Sequence, residues 1–293
     1  MNRRHLLQCA AIGASMLALR PGRILAGVAG DTSARLASLE RAHGGRLGVS
    51  ILDTQSGRAV SHRGGERFLL CSTFKLLAVA AVLARVDRGE ERLERRIVFG
   101  REALLDYAPV TRAHTGAPGM SMAELCDAAI TLSDNTAANL LLDSLGGPSR
   151  VTAFVRTLGD RVTRLDRTEP SLNAGRGSGD VRDTTTPDAM LASVRRLVLG
   201  DVLTEASRAR LRAWLQACTT GTDRLRAGVP AGWVVADKTG SGSHGETNDV
   251  AVFFPPQRKP VLVTAYYAGS HADAASRASV LAEVGRIAAE PGA

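Results

Sequence analysis

Apolar residues alternate with small or polar ones over residues 47–51, short apolar stretches recur near the C-terminus, and a long apolar run and helical spacing dominate the middle. Period-two alternation predicts a strand over residues 47–51, a second strand is predicted over 59–62, and short apolar stretches are predicted as strands over 233–235, 250–253 and 261–263. Helical patterns cover residues 32–43, 72–89, 121–131, 139–145, 204–218 and 272–289, and one more helix is predicted to start at Thr186-Pro187. We therefore predict an α/β fold (an α+β sandwich) in which one antiparallel sheet is assembled from both chain termini, with flanking helices and an inserted all-helical lobe.

One helix start carries a specific local signal. Ser121 followed by Glu124 is a capping box, in which each side chain bonds the other residue's backbone N–H. The chain shows no internal repeat and no linker that would separate independent domains. We predict a targeting segment over 1–30, an α/β lobe over 31–71 and 221–293, and a helical lobe over 72–220.

Residues 1–30 have the pattern of that targeting segment. The pair Arg3-Arg4 precedes a moderately apolar run, and Arg20 and Arg23 follow it. This order is typical of a twin-arginine signal, so we predict export by that pathway and a periplasmic or secreted mature protein. Because the apolar run is short and interrupted, we predict no membrane anchor after signal removal.

The charge balance argues against a nucleic-acid partner. The chain has 37 Lys+Arg and 29 Asp+Glu, a formal net charge of +8. Residues 1–30 carry four arginines and no acid, which leaves 33 basic residues against 29 acidic ones, or +4. This charge is scattered and only 4% of the residues are aromatic, so we predict no nucleic-acid binding.

Cysteine and histidine spacing argues against a metal site. Cys71, Cys126 and Cys218 follow the targeting segment, and their spacing matches no metal-binding motif. The six histidines are scattered as well, so we predict neither a metal nor another cofactor. We interpret the three cysteines as small buried apolar residues.

Lysine is rare in this chain, and its positions indicate candidate chemistry. Only Lys75, Lys238 and Lys259 are present, whereas arginine supplies almost all other positive charge. Lysine can lose its proton in a protein and arginine cannot, so a rare lysine is a candidate base. Ser72 lies three residues before Lys75 and just before a long apolar run, so one helical turn brings its hydroxyl near the amine. A capping serine and a solvated lysine remain the simplest interpretation of this pair alone.

Further short motifs follow later along the chain. Ser133-Asp134-Asn135 is predicted in a loop, Glu169 to Asn173 in a glycine-rich irregular region, and Lys238-Thr239-Gly240-Ser241 after the strand at 233–235. Tyr107 is predicted in the loop after the Ser72 helix. Each motif alone is compatible with an ordinary turn. S-x-x-K, S-D-N and K-T-G together are the motif set of class A β-lactamases and penicillin-binding proteins.

The chain closely resembles the class A serine β-lactamases from about residue 32 to 289. The resemblance rests on those three motifs, on Glu169-x-x-Leu172-Asn173 and on Tyr107. It implies a monomeric enzyme that hydrolyses the amide bond of penicillins or cephalosporins, gives antibiotic resistance, and needs no metal or cofactor. The small-molecule β-lactam substrate is its only implied partner.

The resemblance also implies catalytic roles. Ser72 attacks the β-lactam carbonyl, and Lys75 activates it directly or relays its proton. Ser133, with Lys238 beside it, protonates the departing ring nitrogen. Glu169 activates the water that hydrolyses the acyl-enzyme.

The remaining implied roles concern substrate binding. The backbone N–H groups of Ser72 and Ser241 form the oxyanion hole, and Asn135 binds the acylamino side chain of the substrate. The other implied substrate-binding residues are Tyr107 at the entrance, Asn173, Arg224, Lys238, Thr239 and Gly240.

The Glu169 loop and the carboxylate site show family features and departures. Arg167 and Asp183 stand where the family has the ion pair that closes this loop, which carries one extra residue within 174–179. Thr247 stands where many members have a carboxylate-binding arginine. Arg224 matches the position that some other members use, and we predict that it binds the substrate carboxylate.

The cysteines depart from the family as well. Cys126 lacks its usual partner because Val79 occupies that place. Cys71 matches one half of a bridge found in some members, but Gly242 replaces the other half. We therefore predict no disulfide.

Two other classes share part of the motif set. A D,D-peptidase-like penicillin-binding enzyme has the first three motifs but lacks the glutamate, so it is acylated and stays acylated. A non-catalytic β-lactam sensor would also lack efficient deacylation, and it would need a membrane span that the sequence does not predict. Glu169 therefore favours the hydrolytic enzyme, because it supplies a base for the deacylating water.

Overall fold

The computed structural model describes residues 21–175 and 179–290, so the predicted twin-arginine pair lies outside the described residues. Helices in the described part are α1 (Pro21–His43), α2 (Phe74–Asp87), α3 (Met122–Thr131), α4 (Asn135–Leu145), α5 (Pro148–Thr157), α6 (Pro187–Val198), α7 (Glu205–Gln216) and α8 (Ala274–Ala289). The strands there are β1 (Arg46–Asp53), β2 (Ala59–His62), β3 (Phe68–Leu69), β4 (Arg96–Ile97), β5 (Met120–Ser121), β6 (Thr184–Thr185), β7 (Val234–Ser241), β8 (Thr247–Phe254) and β9 (Val261–Ala268).

The main sheet contains strands from both ends of the chain. Its five antiparallel strands have the order β2-β1-β9-β8-β7. β1 pairs with β9 in a register that places Val49 opposite Ala265. The predicted α/β architecture, with one antiparallel sheet built from both termini, is therefore confirmed. Two short ladders, β3–β6 and β4–β5, connect loops outside this sheet.

Side chains that alternate along the strands bury both faces of the sheet. On one face, Val49 of β1 belongs to an apolar cluster with Leu281 of α8. On the other face, Tyr266 of β9 belongs to a second cluster with Leu77 of α2. Helix α6 packs on this second face, where Thr264 Oγ1 donates to the Pro187 carbonyl at 2.9 Å. The sheet is thus enclosed between two helical layers.

Helix α2 crosses the interior. Its residues from Phe74 to Ala84 are all buried, as expected for a helix without a polar face. Lys75 is among them and is 0% exposed. The helix therefore builds the core and also holds a cation inside it.

Individual hydrogen bonds confirm two predicted helix starts. The Ser121 hydroxyl accepts from Glu124 N–H, and the Glu124 carboxylate accepts from Ser121 N–H, so both capping-box bonds form. Thr186 caps α6, and Pro187 occupies its first turn.

Other predicted boundaries need correction. α2 begins at Phe74, because Cys71–Thr73 form a 3-10 turn before it. The loop predicted around the S-D-N motif ends at Asp134, which caps α4 by accepting from Ala137 N–H at 2.8 Å. α4 accordingly begins four residues before the predicted start at residue 139.

Two further findings were not predicted. Lys238 to Ser241 belong to β7 rather than to the segment after it, because they continue to pair with β8 as far as the Ser241–Thr247 pair. Helix α5 had no predicted counterpart, and of its ten residues only Val151 and Val155 are buried. So few apolar residues give a weak periodic signal.

Candidate active site

Ser72 lies where the helical core meets the edge of the sheet. It belongs to the 3-10 turn Cys71–Thr73, in which Cys71 has a φ of 43°, in the left-handed region. From β8, Asn248 Nδ2 donates to the Leu69 carbonyl just before this turn, at 2.9 Å. Gly240 lets β7 approach, since a Cβ there would lie 3.2 Å from Ser72 N. These contacts place the serine between a helix and a strand.

Lys75 Nζ lies among oxygen atoms from four other residues. It is 3.0 Å from Ser72 Oγ, 2.6 Å from Asn135 Oδ1 and 2.7 Å from the Ser133 carbonyl oxygen. Ser133 Oγ lies at 3.3 Å and Glu169 Oε1 at 3.2 Å. Burial lowers the pKa of Lys75, and the Glu169 carboxylate opposes that shift. The amine is therefore close to Ser72 and is held at a lower pKa than an exposed lysine.

Glu169 is directed at Ser72 by contacts to its side chain and its backbone. Ser72 Oγ donates to Oε1 at 3.3 Å, and Asn173 Nδ2 donates to Oε2 at 2.6 Å. Asn139 of α4 bonds both the N–H and the carbonyl of Glu169, each at 2.9 Å. Asn139 was not predicted as a site residue. Its signal is the spacing of four residues from Asn135, which places both on one helix face.

An ion pair closes the loop that carries Glu169. Arg167 Nε lies 2.5 Å from Asp183 Oδ2, which confirms the predicted pair. Asp183 Oδ1 also accepts from the backbone N–H groups of Asp166 and Arg167, at 2.7 and 2.9 Å. Of the segment 174–179, where the extra residue is predicted, residues 176–178 lie outside the described part.

Ser133 connects the two buried lysines. Its Oγ accepts from Lys75 Nζ at 3.3 Å and from Lys238 Nζ at 3.1 Å. Lys238 also donates to the Thr239 carbonyl at 3.0 Å. Burial lowers the pKa of Lys238 to about 8, and the nearby charge of Lys75 contributes to the shift. A hydroxyl between two amines is well placed to pass on a proton.

Asp134, the middle residue of the S-D-N motif, is fully buried and joins two segments. Its carboxylate accepts from Thr111 N–H at 2.9 Å and from Ala137 N–H at 2.8 Å. Next to it, Asn135 N–H donates to the Tyr107 carbonyl at 3.0 Å. These bonds hold Tyr107, which is 50% exposed, at the rim of the site.

Arg224 lies at the sheet side of the site. Its Nη2 donates to Ser241 Oγ at 2.7 Å, and its Nη1 donates to the carbonyls of Gly240 at 2.9 Å and Asn248 at 2.8 Å. These partners are neutral oxygens, so the charge of Arg224 remains available to an anion. Arg277, which was not predicted as a site residue, donates to Thr247 Oγ1 at 3.1 Å.

The predicted residues come together in one cleft of about 340 Å³. Its lining consists of Ser72, Tyr107, Ser133, Asn135, Asn173, Thr220, Arg224, Thr239, Gly240 and Ser241. The buried side chains of Lys75, Glu169 and Lys238 lie behind this lining and bond to it. Thr220 was not predicted, and its hydroxyl bonds that of Thr239.

The described residues also bear on metal sites, membrane spans and disulfides. Within 21–175 and 179–290, His, Cys, Asp and Glu side chains form no group of three or more that could hold a metal. No helix in this part of the chain has the length and apolar character to cross a membrane. Cys71, Cys126 and Cys218 are buried free thiols.

A half-buried serine next to a buried lysine and a buried carboxylate, on this fold, defines a class of acyl-transferring serine enzymes. Residues 31–290 match the model of the "Beta-lactamase enzyme family". The chain is 45% identical to β-lactamase CTX-M-25 of Escherichia coli over 97% of this chain and 96% of the relative. It is 48% identical to a β-lactamase of Streptomyces albus G over 90% and 85%.

Solved structures agree with these relatives. An ancestral class A β-lactamase is 61% identical, with a TM-score of 0.85 over 87% of this chain and 98% of that one. The putative class A β-lactamase PenP from Rhodopseudomonas palustris is 54% identical, with a TM-score of 0.85 over 88% and 98%. The chain belongs to the class A β-lactamases.

Proposed function

We propose that this β-lactamase opens the β-lactam ring through an acyl-enzyme on Ser72. The supporting observation is that Ser72 Oγ lies 3.0 Å from Lys75 Nζ and 3.3 Å from Glu169 Oε1. Acyl transfer to a serine needs a group that accepts the hydroxyl proton, and hydrolysis of the ester needs a base that acts on water. The cleft contains both groups within reach of one nucleophile.

In acylation, Ser72 Oγ bonds to the β-lactam carbonyl carbon and the ring C–N bond breaks. The serine proton passes to Lys75 or Glu169, the two groups within hydrogen-bond distance. Ser133 gives its proton to the departing nitrogen and is reprotonated from the neighbouring amines. The backbone N–H groups of Ser72 and Ser241 bind the developing oxyanion, and each such donor is worth about 3 kcal/mol.

In deacylation, Glu169 takes a proton from a water molecule, whose oxygen attacks the ester carbonyl. The ester C–O bond breaks, Ser72 recovers its proton, and the product leaves as the ring-opened acid. Asn173 supports this step because it holds one carboxylate oxygen and leaves the other directed at the serine.

Substrate recognition is assigned to the remaining lining residues. Asn135 gives its amide oxygen to Lys75, so its amide NH₂ is available for the acylamino carbonyl of the substrate. Arg224 binds the substrate carboxylate beside Ser241, and Lys238 adds a second positive charge. Tyr107 lines the entrance of the cleft.

The cellular setting is part of the same proposal. Residues 1–30 direct export by the twin-arginine pathway, and the mature monomer, made of the α/β lobe (31–71 and 221–293) and the helical lobe (72–220), is periplasmic or secreted. Replacement of Arg3 and Arg4 by lysine should leave the protein in the cytoplasm. Unchanged export of that variant would contradict the proposal that the protein uses the twin-arginine pathway.

The proposed activity is tested by turnover of a chromogenic cephalosporin. We expect many turnovers per enzyme, at the same rate with and without a metal chelator. A single stoichiometric burst would instead indicate a penicillin-binding enzyme or a sensor. No reaction would contradict the proposal altogether.

A further inference from the structure

The turn between β7 and β8 contains a carboxylate that the proposed mechanism does not use. Gly242 N–H donates to the Glu246 carbonyl at 3.1 Å, which closes the turn. His244 N–H donates to Glu246 Oε2 at 3.0 Å. The Glu246 side chain is therefore folded back against its own turn.

Glu246 occupies the space that a side chain at position 242 would need. A Cβ on Gly242 would lie 2.2 Å from Glu246 Oε2 and 3.2 Å from Cys71 Sγ. The φ of Gly242 is not in the left-handed region, so a glycine is needed here for space rather than for conformation. Glu246, Gly242 and Cys71 therefore pack against one another.

This contact lies between the two proposed oxyanion donors. Ser241 directly precedes Gly242, and Ser72 directly follows Cys71. The Glu246 carboxylate also acts electrostatically on Cys71, the residue before Ser72. Burial first, and then the Glu246 charge, raise the pKa of the Cys71 thiol well above its ordinary value. A movement of this turn would shift Ser241 relative to Ser72.

We propose that Glu246 is a positioning residue for the oxyanion hole. Its carboxylate fills the space beside Gly242, holds the turn against Cys71, and so sets the distance between the Ser241 and Ser72 N–H groups. The inference rests on the proposed role of Ser241 in the function above. The effect comes from shape and from the bond to His244 N–H, so it does not require the negative charge.

Two variants separate shape from charge. Glu246→Ala should lower kcat about tenfold with KM within about twofold, because misplaced oxyanion donors weaken transition-state binding rather than substrate binding. Glu246→Gln keeps the shape and the acceptor oxygen, so its kcat should stay within about twofold of the parent. A residue needed only for stability would lower the melting temperature of the alanine variant and leave kcat unchanged.

A double-mutant cycle tests the contact itself. Gly242→Ala should lower kcat at least about tenfold, because its Cβ displaces the Glu246 carboxylate. In the Glu246→Ala background the same substitution should cost less than about threefold, since the space is then free. Equal losses in both backgrounds would overturn the proposal.

The chain offers a matched control at Gly100. A Cβ there would lie 2.2 Å from Glu102 Oε2, and neither residue lines the cleft. The corresponding Gly100→Ala and Glu102→Ala cycle should leave kcat unchanged. If Glu246→Ala retains full kcat while the parent enzyme turns over, this inference fails and the proposed function stands. If the parent enzyme shows no turnover, the proposed function itself has failed.

Discussion

The two walls of the cleft are built differently. The helical wall consists of Ser72, Lys75, Ser133, Asn135 and Glu169, and the sheet wall consists of Arg224, Thr239, Gly240 and Ser241. In the helical wall, the charges of Lys75 and Glu169 are buried and lie 3.2 Å from each other. In the sheet wall, Arg224 donates only to neutral oxygens of its neighbours.

In the proposed function, this difference assigns the chemical steps to the helical wall and the binding of the substrate anion to the sheet wall. Buried charges that compensate one another can exchange a proton with little reorganisation, which is what the helical wall offers to Ser72. An uncompensated cation attracts an anionic substrate, which is what the sheet wall offers. Side-chain changes in the helical wall should therefore lower kcat, and loss of the Arg224 charge from the sheet wall should mainly raise KM. The Ser241 N–H is the exception in the sheet wall, because it belongs to the proposed oxyanion hole.

The largest effect is expected from loss of the nucleophile. Ser72→Ala should lower turnover of a chromogenic cephalosporin by about 10⁵-fold, because no other hydroxyl has the same two partners. The melting temperature should stay close to that of the parent, which shows that the fold is retained. Residual turnover within about a hundredfold of the parent would break the assignment of chemistry to the helical wall.

A smaller effect of a different kind is expected from the sheet wall. Arg224→Ala should raise KM about 30-fold with little change in kcat, because a hydrogen bond to a charged group is worth about 2 kcal/mol. Arg92→Ala, which removes an exposed arginine that does not line the cleft, is the control. A fall in kcat at unchanged KM would mean that the Arg224 side chain takes part in the chemistry.

The pH dependence of kcat/KM tests the role of Lys238, which contacts Ser133 of the helical wall and Thr239 of the sheet wall. With a pKa of about 8, Lys238 is protonated below that pH and neutral above it. The kcat/KM for anionic β-lactams should therefore fall as pH rises through about 8 and be retained just below it. Lys238→Arg should remove this alkaline limb, because arginine keeps its charge. If the alkaline fall in kcat/KM is unchanged in Lys238→Arg, a group other than Lys238 causes it.

The smallest effect is expected from the loop behind Glu169. Asp183→Asn should lower stability by about 2 kcal/mol, because it removes one partner of a largely buried ion pair. Thermal unfolding measures this loss. The kcat should fall only about threefold, since Asn139 and Asn173 still hold Glu169. A loss of kcat as large as that of Ser72→Ala would place Asp183 in the chemistry itself.

Short-range patterns in the sequence predicted much of this site. Ser72 and Lys75 lie within one helical turn, and the capping box at Ser121 spans only four residues. Both patterns can therefore be recognised from the sequence before the fold is known. The terminal strands were also predictable, because short, mostly apolar stretches are typical of strands that are buried on both faces of a sheet.

Contacts between distant segments were not predictable in the same way. Thr220 meets Thr239 only because α7 ends beside β7, and Arg277 reaches Thr247 from the start of α8. The continuation of β7 through Lys238 was missed because glycine and lysine are poor strand formers, and pairing with β8 overrides that preference. Asn248 of β8 likewise bonds the Leu69 carbonyl, just before the 3-10 turn at Ser72, from a distant part of the chain.

The central claim is that Glu169 frees Ser72 from its acyl group, and intact-protein mass spectrometry tests it most directly. Glu169→Gln, which keeps the shape and removes the base, should form one acyl adduct on Ser72 with a cephalosporin and then hydrolyse it about 10³-fold more slowly than the parent. Parent enzyme under the same conditions should show no lasting adduct. Steady turnover by Glu169→Gln at the parent rate, or an adduct on another residue, would contradict the account.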